Sequence, residues 1–75
     1  MSRLINVTSS DQRVPNPKGE TFFCFFNSPE GGTRVVEYLE EDGNNVITDV
    51  FESSSPRQAE DILWSSWGLN VKIKL

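Results

Sequence analysis

Hydrophobic and polar residues alternate strictly at one end of the chain. In LNVKIKL, residues 69–75, apolar side chains occupy every second position, and Asn70, Lys72 and Lys74 lie between them. This period of two predicts a β-strand with one buried face and one solvent-exposed face. Residues 4–8 predict a second, short strand, and TFFCFFN, residues 21–27, predicts a strand of high aromatic content.

Turn-forming residues separate these strands. Residues 9–20 contain two prolines, an asparagine and paired serines, which is typical of a loop. SPEGG, residues 28–32, predicts a turn, because proline presets its φ and glycine adopts positive φ without strain.

A β-hairpin is predicted over residues 33–52, TRVVEYLEEDGNNVITDVFE. Its Asp42-Gly43 step is typical of a two-residue type I′ turn. That turn sets Leu39 opposite Val46, Tyr38 opposite Ile47, and Val35 opposite Val50. A turn one residue later would set acidic residues opposite Val46 and Ile47, so we favour the first register.

The pattern changes to a helical period after the hairpin. Ser55, Pro56 and Gln58 match a serine N-cap, a proline at the first helical position and the glutamine of a capping box. One helical stripe then holds Ala59, Ile62, Leu63, Ser66 and Trp67. Gly68 suits the left-handed residue that ends a helix, so a helix is predicted over residues 55–68.

This order of elements predicts an α+β fold. Four strands, one helix and one further strand indicate a small, mostly antiparallel sheet of four or five strands, with the helix packed on one face. A chain of 75 residues buries only about 60% of the surface that it exposes when unfolded. We therefore expect residues 1–75 to form one domain. The strand order stays open.

The aromatic strand raises the question of how its two faces are used. Phe22, Cys24 and Phe26 share one face, and Phe23 and Phe25 share the other. Both faces of the hairpin are also substantially apolar, but one helix covers only one of them. The loop at 9–20, a second copy of the chain or a different partner are the alternatives for the second face. Exposed apolar faces are typical of interaction sites.

The charge distribution is uneven, with a net charge of -4. Six carboxylates lie in the hairpin, namely Glu37, Glu40, Glu41, Asp42, Asp49 and Glu52. Such a surface disfavours binding to nucleic acid, whose partners present basic surfaces. It suits either a solvated edge that keeps the protein soluble, or contact with a basic groove on a partner. By analogy, small inhibitors encoded by mobile elements often bind such a basic groove, where their carboxylates mimic the charge of nucleic acid.

Catalytic chemistry is disfavoured by the composition. The chain has no histidine and a single cysteine, so neither a Ser-His-Asp or Cys-His arrangement nor a conventional zinc site can form. Cys24 lies between phenylalanines, where a thiol behaves as a small apolar group. We predict no enzyme, no catalytic residue, no metal site and no cofactor.

A cytoplasmic location without a membrane partner is also expected. MSRLINVTSSDQ contains no apolar run long enough for a signal peptide. Nor does any segment approach the roughly 20 apolar residues that a membrane span requires.

The sequence therefore predicts a non-catalytic protein–protein interaction module, a small acidic adaptor or inhibitor. The candidate partner-binding residues are Phe23, Phe25, Glu37, Tyr38, Glu40, Glu41, Asp42 and Asp49 of the sheet and Trp64 at the flank of the helix. The expected partner is a protein with a basic surface, or a second copy in a homodimer. Two alternatives stay open: a structural subunit of a homo-oligomer, and single-stranded nucleic-acid binding by base stacking on Phe23 and Phe25 near Lys72 and Lys74.

Overall fold

Residues 3–75 are described by a computed structural model of the protein. Along these residues the elements are β1 (Ile5–Val7), β2 (Val14–Pro15), β3 (Phe22–Asn27), β4 (Thr33–Glu41), β5 (Asn44–Ser53), α1 (Pro56–Trp67) and β6 (Val71–Ile73). The predicted α+β fold is confirmed: a mostly antiparallel sheet packs against the single helix of the described chain.

The strands form two separate groups. A four-stranded antiparallel sheet has the order β2-β3-β4-β5, and β1 pairs with β6 in parallel, with Ile5 opposite Val71. The segment predicted as a loop, 9–20, is a loop except at β2. There Val14 pairs with Phe23 and is buried, which draws this part of the chain onto the edge of the sheet.

The hairpin turn between β4 and β5 is the predicted one. Asp42 has a φ of 51° and Gly43 a φ of 80°, and positive φ at both central residues defines a type I′ turn. Leu39 pairs with Val46 and Tyr38 with Ile47, as the sequence predicts.

Farther from the turn, a β-bulge at Thr48 makes the predicted register wrong by one residue. Val35 pairs with Phe51 instead of Val50, because Thr48 is an extra residue opposite the Glu37/Tyr38 step. The Thr48 hydroxyl contacts the Glu37 main-chain oxygen at 3.2 Å and donates to the Glu37 carboxylate at 2.9 Å. The shift turns Phe51 toward α1, where its ring stacks on Trp67 at 5.9 Å.

The helix has the predicted ends. The Gln58 N–H donates to the hydroxyl of the N-cap Ser55 at 3.1 Å, and the Gln58 side chain accepts from the Ser54 N–H at 2.6 Å. Gly68 closes the helix with a φ of 67°. Within residues 3–75 no helix has the length and apolar character to cross a membrane.

The core lies between α1, the β1–β6 pair and one face of the four-stranded sheet, which we call the inner face. Its buried apolar residues are Val7, Val14, Phe23, Phe25, Val35, Ala59, Leu63, Leu69, Val71 and Ile73. Phe23 contacts Trp67 edge to face, with ring centroids 5.2 Å apart. The alternation predicted for the last strand is thus confirmed for Leu69, Val71 and Ile73, whereas Leu75 is partly exposed.

Phe23 and Phe25, expected to contact a partner, are instead part of this core. Both side chains are 0% exposed. Phe25 pairs with Val35 on the inner face, so the two phenylalanines are covered by the chain's own core, to which α1 and the β1–β6 pair both contribute. Base stacking on these two rings is therefore excluded in the folded protein.

The turn at 28–32 requires glycine for two different reasons. Gly31 has a φ of 90°, which residues with a side chain rarely adopt. Gly32 is buried, and a Cβ placed there would lie 2.1 Å from the carbonyl oxygen of Ser53. The turn thus brings β4 against the end of β5 at a distance that only glycine permits.

Candidate interaction surface

The face of the sheet opposite α1 is built from three cross-strand rows, because paired residues of neighbouring strands share a face. The rows are Phe22–Tyr38–Ile47, Cys24–Val36–Val50 and Phe26–Arg34–Glu52. We call these nine residues the open face. The first two rows are apolar except for the tyrosine hydroxyl and the thiol.

Several large apolar side chains of the open face remain in contact with solvent. Ile47 is 63% exposed, Val50 47% and Phe26 39%. Phe22, Cys24 and Val36 beside them are half-buried, and Tyr38 is 8% exposed. Single exposed apolar residues are normal in proteins, but a contiguous group on adjacent strands is typical of an interaction surface.

Ion pairs lie at both ends of this apolar area. At one end Arg34 Nη2 lies 3.0 Å from Glu52 Oε1. At the other end Arg13 pairs with Glu40, and its guanidinium lies over the Phe22 ring, 4.6 Å from the ring centroid. Exposed pairs of this kind contribute little to stability. An apolar centre with a polar rim is, however, the usual anatomy of a protein interface.

The loop before β2 turns part of the open face into a groove. Ser10, Asp11 and Arg13 line one side of a cavity of about 370 Å³, Asn45 and Ile47 line the other, and Cys24, Phe26, Val36 and Tyr38 also contribute to the lining. The segment 9–20 therefore covers the β3 side of the second face and reaches the central strand β4, where Arg13 pairs with Glu40, while Val14 points into the core.

The thiol of Cys24 and the phenol of Tyr38 are neutral groups within the groove. Burial raises the pKa of the Cys24 thiol above its ordinary value of 9.0. Burial also raises the pKa of Tyr38 above its ordinary 10.0, with smaller increases from Cys24 and Glu40 and an opposing effect of Arg13. At neutral pH this part of the groove is therefore uncharged.

The acidic residues of the hairpin do not form one free patch. Glu37 accepts hydrogen bonds from the hydroxyls of Thr21 and Thr48, both at 2.9 Å, and from the Asn16 amide at 3.3 Å. The carboxylate of Asp49 accepts from the N–H of Val50 at 2.9 Å. Glu37 pairs with the buried Phe23 of β3 and with Asp49 of β5. Glu37 and Asp49 therefore lie on the inner side of the sheet.

The remaining hairpin carboxylates differ in their surroundings. Glu40 and Glu52 are paired with arginines at the two ends of the open face. Glu41 and Asp42 are exposed at the hairpin tip. The predicted acidic surface is thus reduced mainly to the tip.

Trp64 is 56% exposed but lies away from the open face. It belongs to α1, on the other side of the sheet, and it borders a shallow cavity together with Glu60, Asp61, Asn70 and Val71. Of the nine predicted site residues, the open face itself contains Tyr38, and Glu40 lies at its rim.

Most of the open face was not among the candidate residues predicted from the sequence. The missed residues are Phe22, Cys24, Phe26, Arg34, Val36, Ile47, Val50 and Glu52. A usable signal was the alternation in β4, where Arg34 and Glu40 share a face with Val36 and Tyr38. Long charged side chains favour solvent, which identifies that face as the one turned away from the helix.

Among residues 3–75, no three histidine, cysteine or carboxylate side chains are grouped to hold a metal ion. Comparisons with protein-family models, with curated proteins and with solved structures give no match to the chain. The open face and its geometry are therefore the basis for a proposed function.

Proposed function

We propose that the protein is a non-catalytic protein–protein interaction module whose contact surface is the open face. The observation that carries this proposal is the solvent exposure of Ile47 and Val50 on β5 and of Phe26 on β3, which lie on the same sheet face on either side of β4. The chain's own helix and the β1–β6 pair cover the opposite face, whereas the loop covers only part of the open face.

The energetics favour a partner on this surface. Full burial of a valine, isoleucine or phenylalanine side chain stabilises by about 1.5–3 kcal/mol. Since Ile47, Val50 and Phe26 are already partly covered, the gain from covering the rest is roughly 1 kcal/mol for each. The half-buried neighbours add to it, and the two ion pairs at the ends are placed to form a polar rim around an apolar contact.

A basic partner held by the acidic hairpin is the weaker candidate. Glu37 accepts hydrogen bonds from hydroxyls within the chain, and arginines offset the charges of Glu40 and Glu52, so the hairpin presents less net negative charge to a basic groove. Glu41 and Asp42 at the hairpin tip are the residues through which such a partner would bind.

The proposal is tested by affinity capture with matched baits. The test bait is the tagged Ile47→Glu/Val50→Glu double variant, and the control bait is Trp64→Glu, which changes an exposed apolar residue on α1. We expect a protein retained by the wild-type and Trp64→Glu baits to be lost from the double variant, with all three baits folded by circular dichroism. Retention should persist at moderate salt, because the contact is mainly apolar.

Two results contradict the proposal. One is retention by the double variant equal to that of the wild type. The other is a partner that is lost on Glu41→Lys/Asp42→Lys or at moderate salt while the double variant still holds it, which would favour the acidic tip instead.

A further inference from the structure

We infer that the partner on the open face is a second copy of this chain, related by a two-fold axis that runs across the strands. The axis passes between the row of Val36 and Val50 and the row of Tyr38 and Ile47. This inference rests on the proposed function, since it uses the same surface.

The open-face side of β4 is complementary to itself. Its residues in order are Arg34, Val36, Tyr38 and Glu40. A two-fold axis across the strands reverses this order in the second copy, so Arg34 faces the second copy's Glu40 and Val36 faces the second copy's Tyr38. Opposite charges then meet at both ends of an apolar centre, which stabilises this arrangement and sets its register.

The neighbouring strand β5 has the same property. On the same side of the sheet it carries Ile47, Val50 and Glu52 of the open face and, beside Glu40 at the rim, Asn45, because the bulge at Thr48 lies between the two apolar residues. The same axis sets Ile47 against Val50 of the second copy, and Asn45 against its Glu52. Apolar groups meet apolar groups, an amide meets a carboxylate, and no like charges are opposed.

The charge of the open face also fits a second copy better than a basic partner. Arg13 and Arg34 offset Glu40 and Glu52, so only Asp11 in the groove wall adds a negative charge to this surface and its rim, although the chain has a net charge of -4. Most other carboxylates lie elsewhere, at the hairpin tip, on the inner side of the sheet, in the loops and on α1. Two equally acidic chains are therefore only weakly repelled at the contact itself.

The size of the surface predicts a weak dimer. Six residue steps along β4 span about 20 Å, and three strands span about 14 Å, which gives a flat footprint of roughly 300 Å². For the two copies together this is roughly 600 Å², below the about 1,000 Å² that a stable specific interface buries. Ser10 and Asp11 form a wall near β3, so the contact is centred on β4 and β5. We therefore expect a transient dimer with a dissociation constant of about 100 μM or weaker.

The test is sedimentation equilibrium of the purified chain over a concentration series, with two charge-reversal variants. Arg34→Glu sets Glu against the second copy's Glu40, and Glu40→Arg sets Arg against the second copy's Arg34. Each variant alone should dimerise about tenfold or more weakly than the wild type. An equimolar mixture of the two should recover association, because both charge contacts are then attractive in the mixed dimer.

Two further variants serve as controls. Arg57→Glu makes the same change of charge at an exposed position of α1, where Arg57 pairs with Asp61, and should leave the dimer unchanged. Ile47→Glu changes the most exposed apolar residue of the open face and should abolish the dimer without unfolding the chain.

The outcomes separate this inference from the proposed function. A wild-type chain that stays monomeric throughout the series overturns the second-copy inference, and the capture experiment with open-face baits then decides the proposed function independently. A wild-type dimer that the charge-reversal mixture does not restore overturns the two-fold arrangement. A dimer that survives Ile47→Glu shows that self-association uses another surface, which also overturns the inference.

Discussion

Replacing Phe23 by alanine tests which face of the sheet the helix covers. Phe23 is 0% exposed and contacts Trp67 edge to face at 5.2 Å. Phe26, three residues later in the same strand, is 39% exposed on the open face. The two substitutions remove the same atoms from β3, so their difference reports burial alone.

The expected magnitudes are well separated. Removal of a buried phenylalanine side chain costs about 3–5 kcal/mol, since the transfer free energy and the cavity both count. The edge-to-face contact with Trp67 places Phe23→Ala in the upper half of this range. A chain of 75 residues has a total stability of about 4–11 kcal/mol. Phe23→Ala should therefore lower Tm by about 15–30 °C or prevent folding, whereas Phe26→Ala should cost about 1 kcal/mol or less.

Urea denaturation followed by tryptophan fluorescence measures both variants. Trp67 contacts the rings of Phe23 and Phe51, so unfolding changes its part of the emission, to which the exposed Trp64 also contributes, and circular dichroism gives an independent transition. A loss of stability in Phe26→Ala equal to or greater than that in Phe23→Ala would refute the assignment of the inner and open faces.

Three other predictions concern the backbone and the buried ionisable groups. Gly32→Ala should cost about 2 kcal/mol or more in urea denaturation, because its Cβ would lie 2.1 Å from Ser53 O; a cost below that of Gly31→Ala would contradict it. Deletion of Thr48 should preserve the fold, since it leaves a regular ladder with Phe51 still on the inner face; loss of the native near-ultraviolet circular dichroism would show this wrong. Stability should be constant from neutral pH to about 9.0 and fall above it, because the folded state raises the pKa of Cys24 and of Tyr38 and so resists their ionisation. Cys24→Ala should reduce the first part of that fall, and a urea midpoint that rises at alkaline pH would contradict the sign.

Local signals in the sequence were sufficient for the helix and for the hairpin turn. Ser55, Pro56 and Gly68 act through bonds and dihedral angles within a few residues, and so does Asp42-Gly43. Their chemistry determines the structure wherever the segment lies in the fold. The predicted helix and turn were therefore confirmed.

Distant contacts decided the features that the sequence did not predict. The bulge at Thr48 brings Phe51 onto Trp67 and Ser53 onto the main chain of Thr33, where its hydroxyl donates at 3.0 Å. Trp67 is far from Phe51 in the sequence, and Thr33 is far from Ser53. The alternation of apolar and polar residues does not contain these contacts, so it predicted a regular ladder without a bulge. The same limit applies to β3, because alternation divides its phenylalanines into two sets but does not say which set meets the helix.

The parallel pairing of β1 with β6 has a consequence for the order in which the molecule folds. Ile5 lies opposite Val71, so this pair closes a loop that includes most of the described chain. Closing it costs roughly 4 kcal/mol of chain entropy, whereas the β4–β5 hairpin closes across two residues. The hairpin is therefore expected to form early and the β1–β6 pair last. A cavity in β1, as in Val7→Ala, should speed unfolding and hardly slow folding, so the lifetime of the folded state depends on contacts far from the centre of the large sheet.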